Sequence, residues 1–413
     1  MLPAAEAEQL ILNLVTPLDS RIDQETVDLA AAYGRILAAT VTSQLDFPHW
    51  DNSAMDGYAV RYEDVQQAPV SLAVVEEIPA GKRPQQALTT GQAARIFTGS
   101  MVPEGADTIV IQEDTERVGD QVEILMPPNP QAFVRHRGSF YQAGEALLTP
   151  GTLVGGPEMA ALAAAQCTQV QVYRRPRVAI FSTGDELVTP DQPLQPGQIV
   201  DSNQVAIAAL LTQAGADPVP LGIVPDDPEA LRQAITTACE QADMVISSGG
   251  VSVGDYDYVD RILTDLGAEL HIRSVAVKPG KPLTVATLPG SLTSQSGGRR
   301  LYFGLPGNPV SALVSFWRFV KPALYKLSGR PDNWQPVTVL ANTLNDLKAS
   351  GQRETYLWGQ LSLSGQGYSF ELANGGHSSG NLVNLAGTSG LAILPVGTTE
   401  IAAGTTVRVM SLK

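Results

Sequence analysis

The sequence predicts a multidomain protein of mixed class, α/β plus β. Three observations carry that reading. The chain has 413 residues, more than one ordinary domain holds. From Arg177 to Gly329 strand-like and helix-like runs alternate, which argues a parallel sheet covered on both faces. From Ser71 to Met126, and again after Arg330, the runs are strand-only, broken by Gly and Pro.

Taken in order, "AEAEQLILNLV" and "DQETVDLAAAYGRILAA" place apolar residues three and four apart, predicting helices from Pro3 to about Gln44. "DFPHWDNSAMDGYAV" is dense in turn-formers. From Ser71 to Met126 come the short runs "VSLAVVEEI", "AARIFTG", "DTIVIQED" and "QVEILMPP", read as an inserted β-lobe over 47–138. Pro157 then opens an alanine-rich helix, followed by a strand from Thr168 to Tyr173. This reads as a return to the N-terminal lobe, making 1–46 and 139–174 one discontinuous helical lobe. The α/β domain spans 175–330, with "RVAIFSTG", "DPVPLGIVPDD" and "DMVISSGG" as strands and "SNQVAIAALLTQAGA", "PEALRQAITTACEQA" and "PVSALVSFWRFVKPALYKLSG" as helices. Short strands at regular spacing over 331–413 predict a small β-barrel.

Composition narrows the function classes. A formal charge of −15 argues against a nucleic-acid polymer as partner. Two cysteines, Cys167 and Cys239, and four histidines argue against a disulfide framework or a Cys/His metal cluster. The first residues lack a basic n-region, and no apolar run is long enough to cross a membrane, so a cytoplasmic chain without membrane contact is expected.

The chemistry concentrates at the strand ends, where sheets of this kind bind ligands. "SSGGVSVGDYDYV" follows the strand "DMVIS". Its glycines, Gly249, Gly250 and Gly254, let the backbone approach a ligand, and consecutive N–H groups form an anion nest. Ser247, Ser248 and Ser252 add hydroxyl donors, while Asp255 and Asp257 are acceptors suited to Mg²⁺ beside a phosphate. A glycine-rich surface turn with solvated aspartates is the competing reading. "STGDELV" repeats the pattern with Ser182, Thr183, Gly184, Asp185 and Glu186, against a reading as a helix cap. "DSN" at 201–203 is most cheaply a helix cap. Asp226 and Asp227 are as suited to capping as to binding. Lys278 and Lys281 flank a rigid Pro-Gly turn that can clamp phosphate. "FGLPGNPVSA", with Pro306 and Asn308, leads into a helix whose N-terminus can face an anion. In the β-lobe, Asp56 and Thr98 lie in turns.

Together, "DNSAMDGYA", "RIFTGSMVPEGADTIVIQED", "STGDEL", "SSGGVSVGDYDY", "KPGKP" and "LPGNPVSA" resemble, in order and spacing, the molybdopterin molybdenumtransferases: the bacterial MoeA proteins and the matching part of gephyrin. The resemblance implies a three-layer α/β molybdopterin-binding domain, an inserted β-lobe, an elongated discontinuous lobe and a C-terminal β-barrel. It implies insertion of molybdenum from molybdate into adenylylated molybdopterin with release of AMP, supported by Mg²⁺. It also implies a homodimer whose sites lie between the α/β domain of one copy and the β-lobe of the other. A molybdopterin adenylyltransferase supplying the substrate is a further expected partner. Residue by residue, it implies catalytic roles for Asp56, Glu186, Asp257, Lys278 and Lys281, with Asp227 favoured over Asp226. Thr98 joins the substrate contacts, and Glu186 and Asp257 are the expected magnesium ligands. After "VRHRG" the family commonly continues with two acids; here Ser139 and Phe140 stand there. Two other readings follow: a molybdopterin adenylyltransferase-like enzyme, and a non-catalytic molybdopterin-binding scaffold.

Overall fold

A computed structural model describes residues 1–250, 258–292 and 298–412. The α/β layer is a six-stranded sheet. Its order is Asp217–Val224, Arg177–Thr183, Met244–Ser248, Arg300–Leu305, Pro282–Leu288 and Glu269–Ser274. The first four strands are parallel, Pro282–Leu288 runs antiparallel to Arg300–Leu305, and Glu269–Ser274 runs antiparallel to Pro282–Leu288, so the sheet is mixed rather than wholly parallel. Apolar side chains alternate to the two faces. Ile180, Ile246 and Phe303 pack with the helices Ser202–Gln213 and Pro309–Ser315, while Ala179, Val245 and Tyr302 pack with Pro228–Gln241. Each fully buried Ile or Phe among them contributes about 1.5–3 kcal/mol. Because Val224, Thr183, Ser248 and Leu305 end parallel strands, their polar neighbours meet at one edge of the sheet.

The N-terminal region corrects the sequence expectation. Ala4–Leu14 is a helix, but it packs Ala4, Ala7 and Ile11 on the α/β core. The predicted second helix does not form. Gln24–Asp28 is a strand paired antiparallel with Gln169–Tyr173, Val27 opposite Val170. Tertiary pairing with a distant strand overrides a weak local helical period. The lobe therefore combines a two-stranded ribbon with the helix Gly156–Ala164, where Glu158 accepts from the Gly155 N–H at 2.9 Å. The segment 47–138 carries a six-stranded sheet that runs from Thr108–Ile111 through Gly57–Val60, Gln92–Ile96, Val70–Ile78 and Gln121–Ile124 to Thr115–Val118.

Five C-terminal strands close into a barrel, because Glu354–Ser364 pairs with both Gly367–Leu372 and Gly390–Leu394. Strand alternation gives this strand two jobs. Leu357 fills the barrel, while Tyr356 and Trp358 seal it against the α/β core. The short strand Val277–Lys278 also pairs with Glu354 and Thr355.

One polar chain joins three segments at this seam. In the helical stretch Pro309–Leu327, Pro322 has no N–H to return to the preceding turn, and the chain there widens into a π stretch, Phe316–Val320. Arg318 lies on that stretch. It pairs with Glu8 at 2.6 Å and donates to the Tyr356 hydroxyl at 2.9 Å. Tyr356 in turn donates to Glu354. The Arg318 and Glu8 side chains are only 12% and 14% exposed, so neither is paired with bulk water if the other is lost. Arg318→Ala should therefore destabilise the fold by about 3–5 kcal/mol. Glu8→Leu combined with Arg318→Met should recover most of that loss. Denaturation midpoints of the three proteins check both expectations.

Candidate functional site

Two adjacent strands build the site. Ser182 and Ser248 are register partners on the parallel strands Arg177–Thr183 and Met244–Ser248. The chain leaves the second strand through Gly249 and Gly250, at φ of 90° and 66°. A Cβ on Gly249 would sit 2.4 Å from the Thr183 carbonyl oxygen, and one on Gly250 would sit 2.8 Å from Thr183 Oγ1. These glycines let one loop lie against the other, in addition to adopting the left-handed backbone. Gly249 N–H donates back to Leu305 O at 3.2 Å, tying in a third strand end.

The loops frame a cavity of about 920 Å³. Of the sequence-predicted residues, Ser182, Thr183, Gly184, Glu186, Asp227, Ser248, Gly249, Gly250, Pro306 and Asn308 line it. Asp201 and Asn203 line it as well. Buried atoms within this lining lack hydrogen-bond partners among the described residues: Ser182 Oγ, Thr183 Oγ1 and Asn203 Oδ1. Such groups are rare in folded proteins and mark places where a ligand or water completes the bonding.

Asn203 is the residue sequence reasoning missed. Its Nδ2 donates to Ser248 Oγ at 2.6 Å and to the Gly307 carbonyl at 2.8 Å. A carbonyl only accepts, so the amide orientation is fixed and Oδ1 is left as a buried acceptor. A signal existed. Asn203, Ile207 and Leu211 recur every four residues on the buried face of the helix Ser202–Gln213. A polar residue heading an apolar stripe faces inward.

Ser247 departs from the expectation. Its side chain points to the opposite face of the sheet and shares a 2.6 Å hydrogen bond with the Tyr302 hydroxyl. It does not line the cavity, because neighbouring strand residues alternate faces. Ser252, Gly254, Asp255 and Asp257 lie outside the described residues.

The carboxylates divide by task. Asp201 caps its helix, accepting from Gln204 N at 3.2 Å. Asp227 caps Pro228–Gln241, its Oδ1 accepting from Glu229 N at 3.1 Å and Ala230 N at 2.9 Å. Asp226 also lines the cavity. Burial raises its carboxyl above the ordinary aspartate range, and the neighbouring Asp185 and Glu186 charges add to the effect. Asp227 thus performs a capping job, while Asp226 is the acid held in a crowded, anionic setting. Among the described residues no lysine or arginine lines the cavity. Lys278 and Lys281 stand outside it, although Pro282, next in the chain, lines it.

Asp56 and Thr98 are brought together elsewhere, in the β-lobe. The Asp56 carboxylate accepts from Thr98 N at 2.7 Å and from Thr98 Oγ1 at 2.8 Å. Those two bonds hold its carboxyl below the ordinary range. Neither residue lines this cavity. Among the described residues, no three His, Cys, Asp or Glu side chains group into a self-sufficient metal site.

Comparison with known proteins covers the whole architecture. Residues 2–165 match the MoeA N-terminal region (domain I and II), 179–326 a probable molybdopterin binding domain, and 341–412 the MoeA C-terminal region (domain IV). The chain is 58% identical to a Nostoc molybdopterin molybdenumtransferase over 98% of its own length and 93% of that protein's. It is 37% identical to the Haemophilus influenzae protein of the same name over 79% of each chain. A Pyrococcus horikoshii molybdopterin biosynthesis MoeA structure superposes with a TM-score of 0.83 at 28% identity, covering 100% of both chains.

Two outcomes test the geometry without any assay of turnover. Gly249→Ala must move the Thr183 carbonyl and adopt an unfavourable φ, so it should cost about 1–3 kcal/mol in thermal stability. For Asp226, the folded-state pKa lies above the unfolded value, so its charge opposes folding at neutral pH. Its unfavourable contribution disappears as pH falls through the raised pKa towards the unfolded value. Asp226→Asn should therefore raise the melting temperature in metal-free buffer at pH 7, with the gain vanishing near pH 3.

Proposed function

The chain belongs to the molybdopterin molybdenumtransferase (MoeA) family of molybdenum cofactor biosynthesis, and on that premise we propose how its own residues serve the transfer. The reaction is insertion of molybdenum from molybdate into the dithiolene of adenylylated molybdopterin, with cleavage of the phosphoanhydride and release of AMP. The observation that carries this reading is the cluster of orphaned polar atoms, Ser182 Oγ, Thr183 Oγ1 and Asn203 Oδ1, at the strand ends of the molybdopterin-binding domain.

The hydroxyls of Ser182 and Thr183, with the backbone around Gly249 and Gly250, donate to phosphate oxygens. Phosphate offers no donor, so Asn203 Oδ1 accepts from an N–H on the pterin or the adenine. Asn203 thus distinguishes the organic part of the substrate from a bare polyanion. The donor set fits a magnesium ion in the manner usual for phosphate chemistry, with one or two carboxylates and the remaining positions left to substrate and water. Glu186 and Asp226 would hold it, with Asp257 of the glycine-rich motif as the further ligand that the family resemblance implies. When bound, the ion polarises the phosphoryl group and offsets its charge.

The remaining positive charge comes from Lys278 and Lys281, beside the cavity on the turn that precedes Pro282. We assign Asp56 and Thr98 to the site of a second copy in a homodimer, with Asp56 locked in its ionised form by Thr98. A cytoplasmic setting and delivery of substrate by a molybdopterin adenylyltransferase complete the proposal. One observation favours a second reading, a scaffold that binds without turnover. Phe140, 73% exposed, stands where the family commonly has an acid.

One assay separates these readings: purified protein with adenylylated molybdopterin and Mg²⁺, with and without molybdate, following AMP. The expected result is molybdate-dependent AMP release. Asp226→Asn should lower kcat by about 10²-fold or more, whereas Asp227→Ala should leave kcat within about threefold and cost about 1 kcal/mol of stability through the lost cap. Binding without AMP release would favour the scaffold, and molybdate-independent release would contradict the insertion reading.

A further inference from the structure

A second cavity, of about 330 Å³, lies between the helix pair of the α/β domain and the segment leading into the barrel. Trp317, Lys321 and Tyr325 recur every four residues along the stretch Pro309–Leu327 and present one face to it. Arg330 and Trp334 line it as well.

Its charge is the reverse of the first cavity's. Lys321 and Arg330 line it and, among the described residues, no carboxylate does, in a chain whose formal charge is −15. Neither cation is in an ion pair among the described residues. The Arg330 guanidinium stacks 3.8 Å from the centroid of the Tyr325 ring. Its buried Nε has no hydrogen-bond partner among the described residues. Burial holds the group below the ordinary arginine range. A desolvated guanidinium with an unused donor calls for an anion.

The walls decide which anion. Aromatic rings and prolines make one part of them, with Pro322 and Pro336 beside Phe316, Trp317, Tyr325 and Trp334, and the amides of Gln213, Asn333 and Gln335 make another. A phosphate dianion is strongly hydrated and would lose that hydration against apolar walls. A carboxylate on a single aromatic ring carries one charge, matches the guanidinium fork and stacks on the indoles. We propose that this cavity is a second ligand site, taking a small aryl carboxylate on Arg330 and Lys321 between the rings of Trp317 and Trp334.

Benzoate is the direct probe, with benzamide as the uncharged ring and inorganic phosphate as the ringless anion. Each is titrated into the full-length protein by calorimetry and by tryptophan emission, since two of the four tryptophans line the cavity. Benzoate should saturate at one equivalent and bind at least about tenfold more tightly than either control. Arg330→Gln and Lys321→Gln should each weaken benzoate by about tenfold. Lys321 lies on the rim, so its variant keeps the test decisive if Arg330→Gln fails to fold. Absence of saturable binding, equal affinity for benzamide, equal affinity for phosphate, or unchanged affinity in Lys321→Gln would each overturn the assignment.

Discussion

The site depends on two parallel strands that finish side by side with no side chain between their ends. Thr183 and the Gly249–Gly250 pair touch so closely that one Cβ would collide with a carbonyl. This contact holds the Ser182 and Thr183 hydroxyls and the Ser248–Asn203 pair at one edge of the sheet. Preorganisation of this kind lets hydroxyls stay unbonded in a buried place, because the surrounding packing fixes them before any ligand arrives. The helices behind them contribute in the same way. Asp201 and Asp227 secure two helix starts, which fixes Asn203 in the first turn of one helix and the loop that carries Asp226 ahead of the other.

Charge sets the second constraint. Four carboxylates, Glu186, Asp201, Asp226 and Asp227, line a cavity with no ammonium or guanidinium group in its described wall. A polyanionic substrate cannot settle there on backbone donors alone. In the proposed scheme the missing positive charge arrives from two sources, a divalent ion and the lysine turn. Burial, with the Asp185 and Glu186 charges beside it, raises the Asp226 carboxyl within this crowded wall.

Much of this was legible in the residues. The βα alternation predicts the sheet, and the rule that ligands gather at strand ends points to Thr183, Glu186, Ser248 and Gly249, all of which line the cavity. What was misread failed for local reasons. Ser247 and Ser248 are adjacent on a strand and must face opposite ways, so both could not serve one cavity. Gln24–Asp28 carries a helical spacing but has a partner strand about 145 positions later, and long-range pairing is invisible to a local period. Asp226 and Asp227 are indistinguishable by type; only the two N–H groups that Asp227 caps separate their tasks. Asn203 was hidden inside a motif that a cap already explained.

The barrel is less of an appendage than its place at the chain's end suggests. Val277 and Lys278 run alongside Glu354 and Thr355, so the basic turn is stitched to the barrel wall as much as to its own sheet. Arg353 adds a stitch, donating to the Val277 carbonyl at 3.0 Å. Any tilt of the barrel must drag that turn with it, giving the C-terminal domain a lever on the two lysines that precede Pro282 of the cavity wall.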